Sequence, residues 1–141
     1  MIACTSPVKL GTQEDEARLK ALLPVAGKVS LYICREEGRA GRGMRSTVIV
    51  DGTIIGMLLP NMFAHTTVDA GSHSVHLKKE APVIPSSTSG EHTFSATAGE
   101  VVVLWVGVTG QGWGTLTIDD FDTQAEGRQC VAKASLAVIA D

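Results

Sequence analysis

The chain is poor in aromatic residues and has no long apolar run. One tyrosine, three phenylalanines and two tryptophans occur among 141 residues, so a core must be built mainly from Val, Ile, Leu and Ala. The longest apolar run, Val101–Val108, is far shorter than the roughly 20 residues of a membrane-spanning helix. The sequence therefore predicts no such helix, and fifteen glycines indicate short strands separated by many turns.

Basic charge is not in excess either. Lysine and arginine contribute 12 residues against 15 aspartates and glutamates, which gives a formal net charge of -3. Proteins that bind nucleic acid need basic side chains to neutralise phosphates, so we expect no nucleic-acid partner. The length suits one domain that buries most of its unfolded surface, and no repeat or linker divides it.

The N-terminal segment Met1-Ile-Ala-Cys4 resembles the end of a bacterial lipoprotein signal peptide. In such signals a small residue precedes the cysteine that is lipidated and begins the mature chain. A complete signal also has a basic region and an apolar stretch of about 7 to 15 residues, and neither precedes Cys4. We therefore expect only the tail of a longer signal here. The alternative is a cytosolic protein whose fourth residue happens to be cysteine.

The other two cysteines form an even pair. Cys34 and Cys130 are not part of a Cys-x-x-Cys motif, which is the usual signature of a zinc or redox site. In an oxidising envelope compartment they are a candidate disulfide. Two buried free thiols are the alternative.

Two segments have the composition of helices. Residues 13–23 place acidic side chains before basic ones, as the helix dipole favours, and Thr12 is the expected N-cap. The pattern is helical again from Asp122 to about Ala134. The carboxylate of Asp122 is the expected cap of this second helix.

Between these helices, short alternating runs predict β-strands. Asp51-Gly52 separates two β-branched runs and predicts a tight hairpin. Further hairpins are predicted to turn at Ala70-Gly71 and at Ala98-Gly99. Residues 82–90, rich in serine and proline, are predicted as a long loop at an edge or over an open end. Two more strands are predicted, at residues 27–35 and 114–119.

This order of elements predicts the fold class. We expect a mainly β fold, an antiparallel β-sandwich or open barrel with short N-terminal and C-terminal helices packed on it. We expect residues 1–12 to be the lipobox remnant and tether, and residues 13–141 to be the single β-sandwich domain.

Several short motifs resemble a known family. They are the strand end Tyr32-Ile-Cys-Arg35, the strand–turn–strand unit Val48–Gly56, the turn Ala70-Gly-Ser-His73 and the strand pair around Ala98-Gly-Glu100. Together they resemble the bacterial lipoprotein-like domain of unknown function DUF 2846, over roughly residues 27 to 108. Ala70 departs from the proline usual in that turn. The resemblance implies a small β-sandwich in the cell envelope, and it implies no reaction.

The four histidines, at positions 65, 73, 76 and 92, are candidate metal ligands. His73 and His76 are three apart in a predicted strand and should point to opposite faces, whereas His65 and His73 could meet across a hairpin. The acidic group Asp119-Asp-Phe-Asp122 could bind calcium, but capping by Asp122 is favoured. We predict no metal site, no cofactor and no catalytic residue, and no Gly-x-Ser-x-Gly motif occurs.

An arginine-rich segment is the candidate contact surface. Residues 36–45 have no periodicity and are predicted to be an exposed loop. The arginines of this surface are Arg35, Arg39, Arg42 and Arg45. They could bind anionic lipid headgroups or an acidic partner. A solvated loop balanced by Glu36 and Glu37 is the alternative.

The sequence therefore favours a non-enzymatic cell-envelope lipoprotein domain, held on the membrane through Cys4 and facing the periplasm. Its expected partner is an envelope protein or polymer. One alternative is a small hydrolase or metal-dependent enzyme that uses His65, His73 or His92. Another is a carrier of apolar small ligands, with a cavity between the sheet and a terminal helix.

Overall fold

Two packed β-sheets and two helices make up the part of the chain that this computed structural model describes: residues 8–36, 38, 44–81, 84–88, 91–109 and 115–139. In chain order the elements are β1 (Lys9–Leu10), α1 (Gln13–Lys20), β2 (Val29–Arg35), β3 (Arg45–Val50), β4 (Thr53–Leu58), β5 (Met62–Val68), β6 (Gly71–Ala81), β7 (Ile84–Thr88), β8 (His92–Ala96), β9 (Val101–Thr109), β10 (Thr115–Asp120), α2 (Gln124–Lys133) and β11 (Ser135–Val138). The predicted mainly β, sandwich-like fold is confirmed, and the sheets do not close into a barrel.

The two sheets differ in strand direction. The first sheet has the order β1-β11-β5-β2-β9-β10 and includes two parallel pairings, β2 with β9 and β5 with β11. This sheet is therefore mixed: three of its five described pairings are antiparallel, as predicted, and two are parallel. The second sheet has the order β4-β3-β6-β7, with β8 also paired to β6. Its described pairings are all antiparallel.

Strand β2 lies inside the first sheet and is buried along its whole length. Its side chains alternate between two apolar clusters, because successive residues of a strand point to opposite faces. Leu31 and Ile33 belong to the core between the sheets. Tyr32 and Cys34 belong to a second cluster, which the two helices cover. The molecule therefore has three layers: helices, first sheet and second sheet.

Both helices begin at threonine caps. The Thr12 hydroxyl accepts a hydrogen bond from the Asp15 N–H at 3.1 Å, as predicted. The cap of α2 is Thr123, whose hydroxyl accepts from the Glu126 N–H at 3.2 Å. The predicted cap Asp122 is wrong, because the helix begins one residue later than its carboxylate would require. Neither described helix is long and apolar enough to cross a membrane.

A glycine allows α2 to lie close to the first sheet. A Cβ atom at Gly127 would be 3.2 Å from the Phe121 ring and 3.2 Å from Val103 Cβ. Glycine costs about 1 kcal/mol of helix propensity relative to alanine. Close packing against β9 offsets that cost.

One of the three predicted hairpins is present. β3 and β4 pair antiparallel, and the φ angles of Asp51 and Gly52 are 48° and 84°, as a type I′ turn requires. The hairpins predicted at Ala70-Gly71 and at Ala98-Gly99 are wrong. Both connections cross between sheets, because β5 and β9 belong to the first sheet and β6 and β8 to the second. The same turn residues can reverse the chain in either arrangement.

Two other boundaries also differ from the prediction. β7 lies within the expected loop 82–90 and pairs with β6 at the edge of the second sheet, a position that tolerates Pro85. β1 lies within the expected tether 1–12 and pairs with β11. The Gly11 N–H also donates to the Leu136 carbonyl at 2.9 Å. The folded domain therefore includes residues 8–12.

Candidate functional site

Cys34 and Cys130 form a disulfide between the first sheet and α2. Their sulfur atoms are 2.08 Å apart and their Cα atoms 6.3 Å apart. Cys34 is completely buried. Of the two alternatives left open by the sequence, the structure has the bonded pair and not two free thiols. The predicted lipidation site, Cys4, lies outside the described residues.

Arg35 is not part of an exposed contact surface, which corrects the sequence prediction. Its side chain is 1% exposed, because its position in β2 directs it into the space between the sheets. Its Nη1 donates to the carbonyls of Met44 (2.6 Å) and Leu58 (3.0 Å) and to the Ser46 hydroxyl (3.0 Å). Burial lowers the pKa of Arg35 to about 10, so the group remains charged at neutral pH.

The other three arginines of the predicted contact surface do not share one location that the structure describes. Arg45 is partly buried in β3, where its Cα lies opposite that of Glu80 in the neighbouring strand β6. Its place in a strand contradicts the predicted loop at that position. Arg39 and Arg42 lie outside the described residues. The structure therefore does not bring these four arginines together as one contact surface.

Ser30 and His65 form a hydroxyl–imidazole pair below α1. Ser30 Oγ lies 2.8 Å from His65 Nε2, and the His65 ring packs on Tyr32 with centroids 4.7 Å apart. Burial lowers the pKa of His65 to about 4, with a smaller contribution from Arg18. Ser30 is 1% exposed, and no carboxylate among the described residues contacts His65. The pair therefore lacks both the access and the orienting acid of a serine nucleophile.

His73 has a structural role at the connection between β5 and β6. Its Nδ1 lies 2.5 Å from the Asp51 carboxylate and its Nε2 lies 2.6 Å from the Asp69 carbonyl. Because both partners are acceptors, both ring nitrogens donate, and the hydrogen bond to Asp51 raises the pKa of His73. With both nitrogens engaged, His73 is not available as a metal ligand. It also does not face His65, since their strands belong to different sheets.

A third histidine lies beside two aspartates. The ligand atoms of His92, Asp119 and Asp120 all lie within 4.8 Å of one another. His92 Nε2 is 3.8 Å from an Asp120 carboxylate oxygen, and it is buried without a hydrogen-bond partner. His76 is not part of this group, because its Nε2 lies 3.1 Å from the Glu91 carboxylate.

The sequence does not indicate this group, because its histidine and its acids lie in separate segments of the chain. Asp119 and Asp120 stand beside Asp122 as a candidate calcium site, and His92 is one of four histidines. β8 and β10 belong to different sheets and are not neighbours in either. No spacing in the chain signals their approach.

A surface pocket lies between α2 and β9. Its volume is about 440 Å³, and Val101, Val103 and Phe121 contribute apolar lining. Charged residues also line it, among them Glu100 and Arg128. The carrier alternative predicts an apolar cavity between the sheet and a terminal helix. This pocket lies at that position, but its lining is more polar than predicted. A smaller pocket of about 270 Å³ lies beside the disulfide at Cys130.

These features define a disulfide-bonded, two-sheet β domain. Comparison of the chain with protein-family models, with curated proteins and with solved structures finds no match. The resemblance to DUF 2846 therefore stays a prediction.

Proposed function

We propose that this chain is a non-enzymatic domain of the bacterial cell envelope, lipid-anchored at Cys4 and facing the periplasm. The observation that carries the proposal is the disulfide between Cys34 and Cys130. Disulfides form and persist in oxidising compartments such as the periplasm and are rare in the cytosol. The lipobox-like segment before Thr5 and the resemblance to DUF 2846 support the same location.

The position of β1 makes the proposed anchor short. Residue 8 is the first described residue and β1 begins at Lys9, so Val8 is four positions after Cys4. A fully extended chain spans at most about 3.6 Å per residue. The domain would therefore stay within about 14 Å of its attachment point, by the same estimate. Leu10 and Ile139, which are 62% and 55% exposed, lie at this end of the first sheet and suit contact with a bilayer.

The proposed mode of action is binding of an envelope protein or polymer. Two observations favour binding over catalysis. The one serine–histidine hydrogen bond among the described residues has a buried hydroxyl, and His73 uses both of its nitrogens within the fold.

Expression of the gene with its natural upstream region in a bacterial host tests this proposal. We expect the product in the membrane fraction, with an intact mass increased by acyl chains on Cys4 and with Cys34 and Cys130 bonded. The matched variant Cys4→Ala should lose the acyl mass and the membrane association but keep the disulfide. An unmodified cytosolic product with free thiols would contradict the proposal.

The pocket between α2 and β9 favours a second candidate function, a small-ligand carrier. Its volume of about 440 Å³ falls within the range of ligand pockets, about 300 to 1,000 Å³. Titration with an apolar fluorescent probe should then show saturable binding that Val103→Asp abolishes. Equal binding by that variant, if it is folded, would exclude the pocket as the site.

A further inference from the structure

The open edges of the two sheets approach each other at β8 and β10. β8 pairs with β6 of the second sheet, and β10 pairs with β9 at the end of the first sheet. His92 begins β8 and Asp120 ends β10. Strand alternation places His92 on the same face as Phe94, and Asp120 on the same face as Ile118. Because Phe94 and Ile118 both pack on the inter-sheet core, His92 and Asp120 lie on the inward faces of their strands, at the open edge where the Asp120 side chain is exposed. Asp119 lies on the opposite face of β10 by the same alternation, and at the end of the strand its carboxylate still lies within 4.8 Å of the other two ligand atoms.

His92 presents a nitrogen that the described fold does not use. Its side chain is 18% exposed, its Nε2 is buried, and no hydrogen-bond partner contacts that atom. A buried polar atom without a partner costs about 1 to 3 kcal/mol. The closest oxygen, on Asp120, is 3.8 Å away, which is too far for a hydrogen bond. The distance does leave room for an ion between the two atoms.

We propose that His92, Asp119 and Asp120 bind a zinc ion, or a similar first-row divalent ion, between the two sheets. Their ligand atoms lie within 4.8 Å of one another. Two ligands of a tetrahedral zinc ion are about 3.3 Å apart when each bond is about 2.0 Å. Asp120 is 73% exposed on its side chain, and Asp119 is also exposed. Zinc binding requires the exposed Asp120 carboxylate to move toward His92 Nε2, from 3.8 Å to about 3.3 Å.

The ligand set favours zinc over calcium or magnesium. An imidazole nitrogen suits Zn²⁺, Ni²⁺ and Cu²⁺, whereas calcium and magnesium take oxygen ligands almost exclusively. Three protein ligands leave at least one position for water. The Asp119 carboxylate also accepts a hydrogen bond from the Asp120 N–H at 2.8 Å, which holds its orientation. Outer hydrogen bonds of this kind position metal ligands.

The proposed ion would join β8 to β10 and so connect the second sheet to the first at their open edges. An ion that binds the folded chain and not the unfolded chain raises the free energy of unfolding by RT ln(1 + L/Kd), where L is the free ion concentration, so the midpoint of thermal unfolding rises with ion concentration. Zinc binding at this site does not require lipid anchoring, and a protein without acyl chains should bind the ion equally well.

Zinc titration of the chelator-treated, disulfide-bonded protein, followed by calorimetry and by thermal unfolding, tests the proposal. We expect saturable binding of one ion and a midpoint that rises with zinc. His92→Gln and Asp120→Asn should weaken binding about tenfold or more. His76→Gln and Asp122→Asn are matched controls, another histidine and another nearby acid, and should bind as the parent does.

Three results would overturn the proposal. The first is zinc binding that does not saturate by about 1 mM, the limit of weak binding. The second is unchanged zinc binding by His92→Gln. The third is an equal loss of zinc affinity in His92→Gln and His76→Gln. A second measurement avoids variants that fail to fold. Zinc should shift the imidazole NMR signals of His92 in the parent protein and leave those of His65 and His73 in place. Absence of a His92 shift at saturation would also reject the site.

Discussion

Arg35 shows how one buried cation joins two sheets. Its backbone belongs to β2 of the first sheet, whereas its acceptors Ser46 and Leu58 belong to the second, and Met44 directly precedes β3. A buried guanidinium is costly unless its N–H groups find acceptors. Here carbonyl and hydroxyl oxygens supply them. A sequence shows only an arginine at a strand end, which is the usual place for an exposed one, so its burial was not predicted.

Replacement of Arg35 by methionine should destabilise the domain by about 3 kcal/mol, because buried carbonyls lose their donor. Urea unfolding at pH 7 measures this loss. Arg18→Met is the matched control, since the Arg18 side chain is 67% exposed in its ion pair with Asp15. Its expected effect is under about 0.5 kcal/mol. A loss below about 1 kcal/mol for Arg35→Met would show that these hydrogen bonds do not hold the sheets together.

His65 should make the domain less stable in mild acid. Burial lowers its pKa to about 4, while the unfolded chain has a histidine pKa of about 6.5. The stability from neutral His65 is fully present above pH 6.5 and is lost as pH falls toward 4, because only the unfolded state gains the proton. His73 acts in the opposite direction, since the hydrogen bond to Asp51 raises its pKa.

Unfolding of the parent and of His65→Gln at pH 7 and pH 5 isolates this effect. The parent should lose about 2 kcal/mol more than the variant between these values. His76→Gln, a histidine replacement elsewhere in the fold, serves as control and should follow the parent. Parallel losses in the parent and in His65→Gln would mean that the imidazole of His65 is not kept neutral by the fold.

At the scale of helices and strands, the sequence correctly predicted features that depend only on residues close together in the chain. The turn at Asp51-Gly52 and the cap at Thr12 each involve residues within a few positions, and both are present. The connections at Ala70-Gly71 and Ala98-Gly99 look alike in sequence, yet each crosses between sheets. Pairing partners such as β2 and β9 are far apart in the chain. The alternation of residues within a strand does not specify which other strand it pairs with.

The start of α2 gives a prediction at this scale. Thr123→Ala removes the hydroxyl that accepts the Glu126 N–H and should cost about 1 kcal/mol. Asp122→Ala is the adjacent control and should cost less than about 0.5 kcal/mol, because its carboxylate does not form the cap. Thermal or urea unfolding of both variants measures the difference. A larger loss of stability in Asp122→Ala than in Thr123→Ala would show that Asp122 is the cap, as the sequence favoured.

At the scale of the whole molecule, the candidate metal group and the disulfide were not equally predictable. An even pair of cysteines limits the pairing to one choice, so Cys34 and Cys130 could be considered from the sequence. His92 and Asp120 come together only because two sheet edges meet. Their approach depends on the packing of complete sheets, which no short motif encodes.

The disulfide also connects stability to cellular location. It closes a loop of 96 residues and fixes α2 against β2, and removal of such a bond typically costs about 2 to 5 kcal/mol. Native domains have only about 5 to 15 kcal/mol of stability in total.

We expect Cys34→Ala with Cys130→Ala, or reduction by dithiothreitol, to lower the free energy of unfolding by about 3 kcal/mol. Cys4→Ser should leave it unchanged. Amide hydrogen exchange of the double variant should show the largest loss of protection in α2. If the double variant were as stable as the parent, the fold would not need an oxidising compartment, and the envelope proposal would lose its main support.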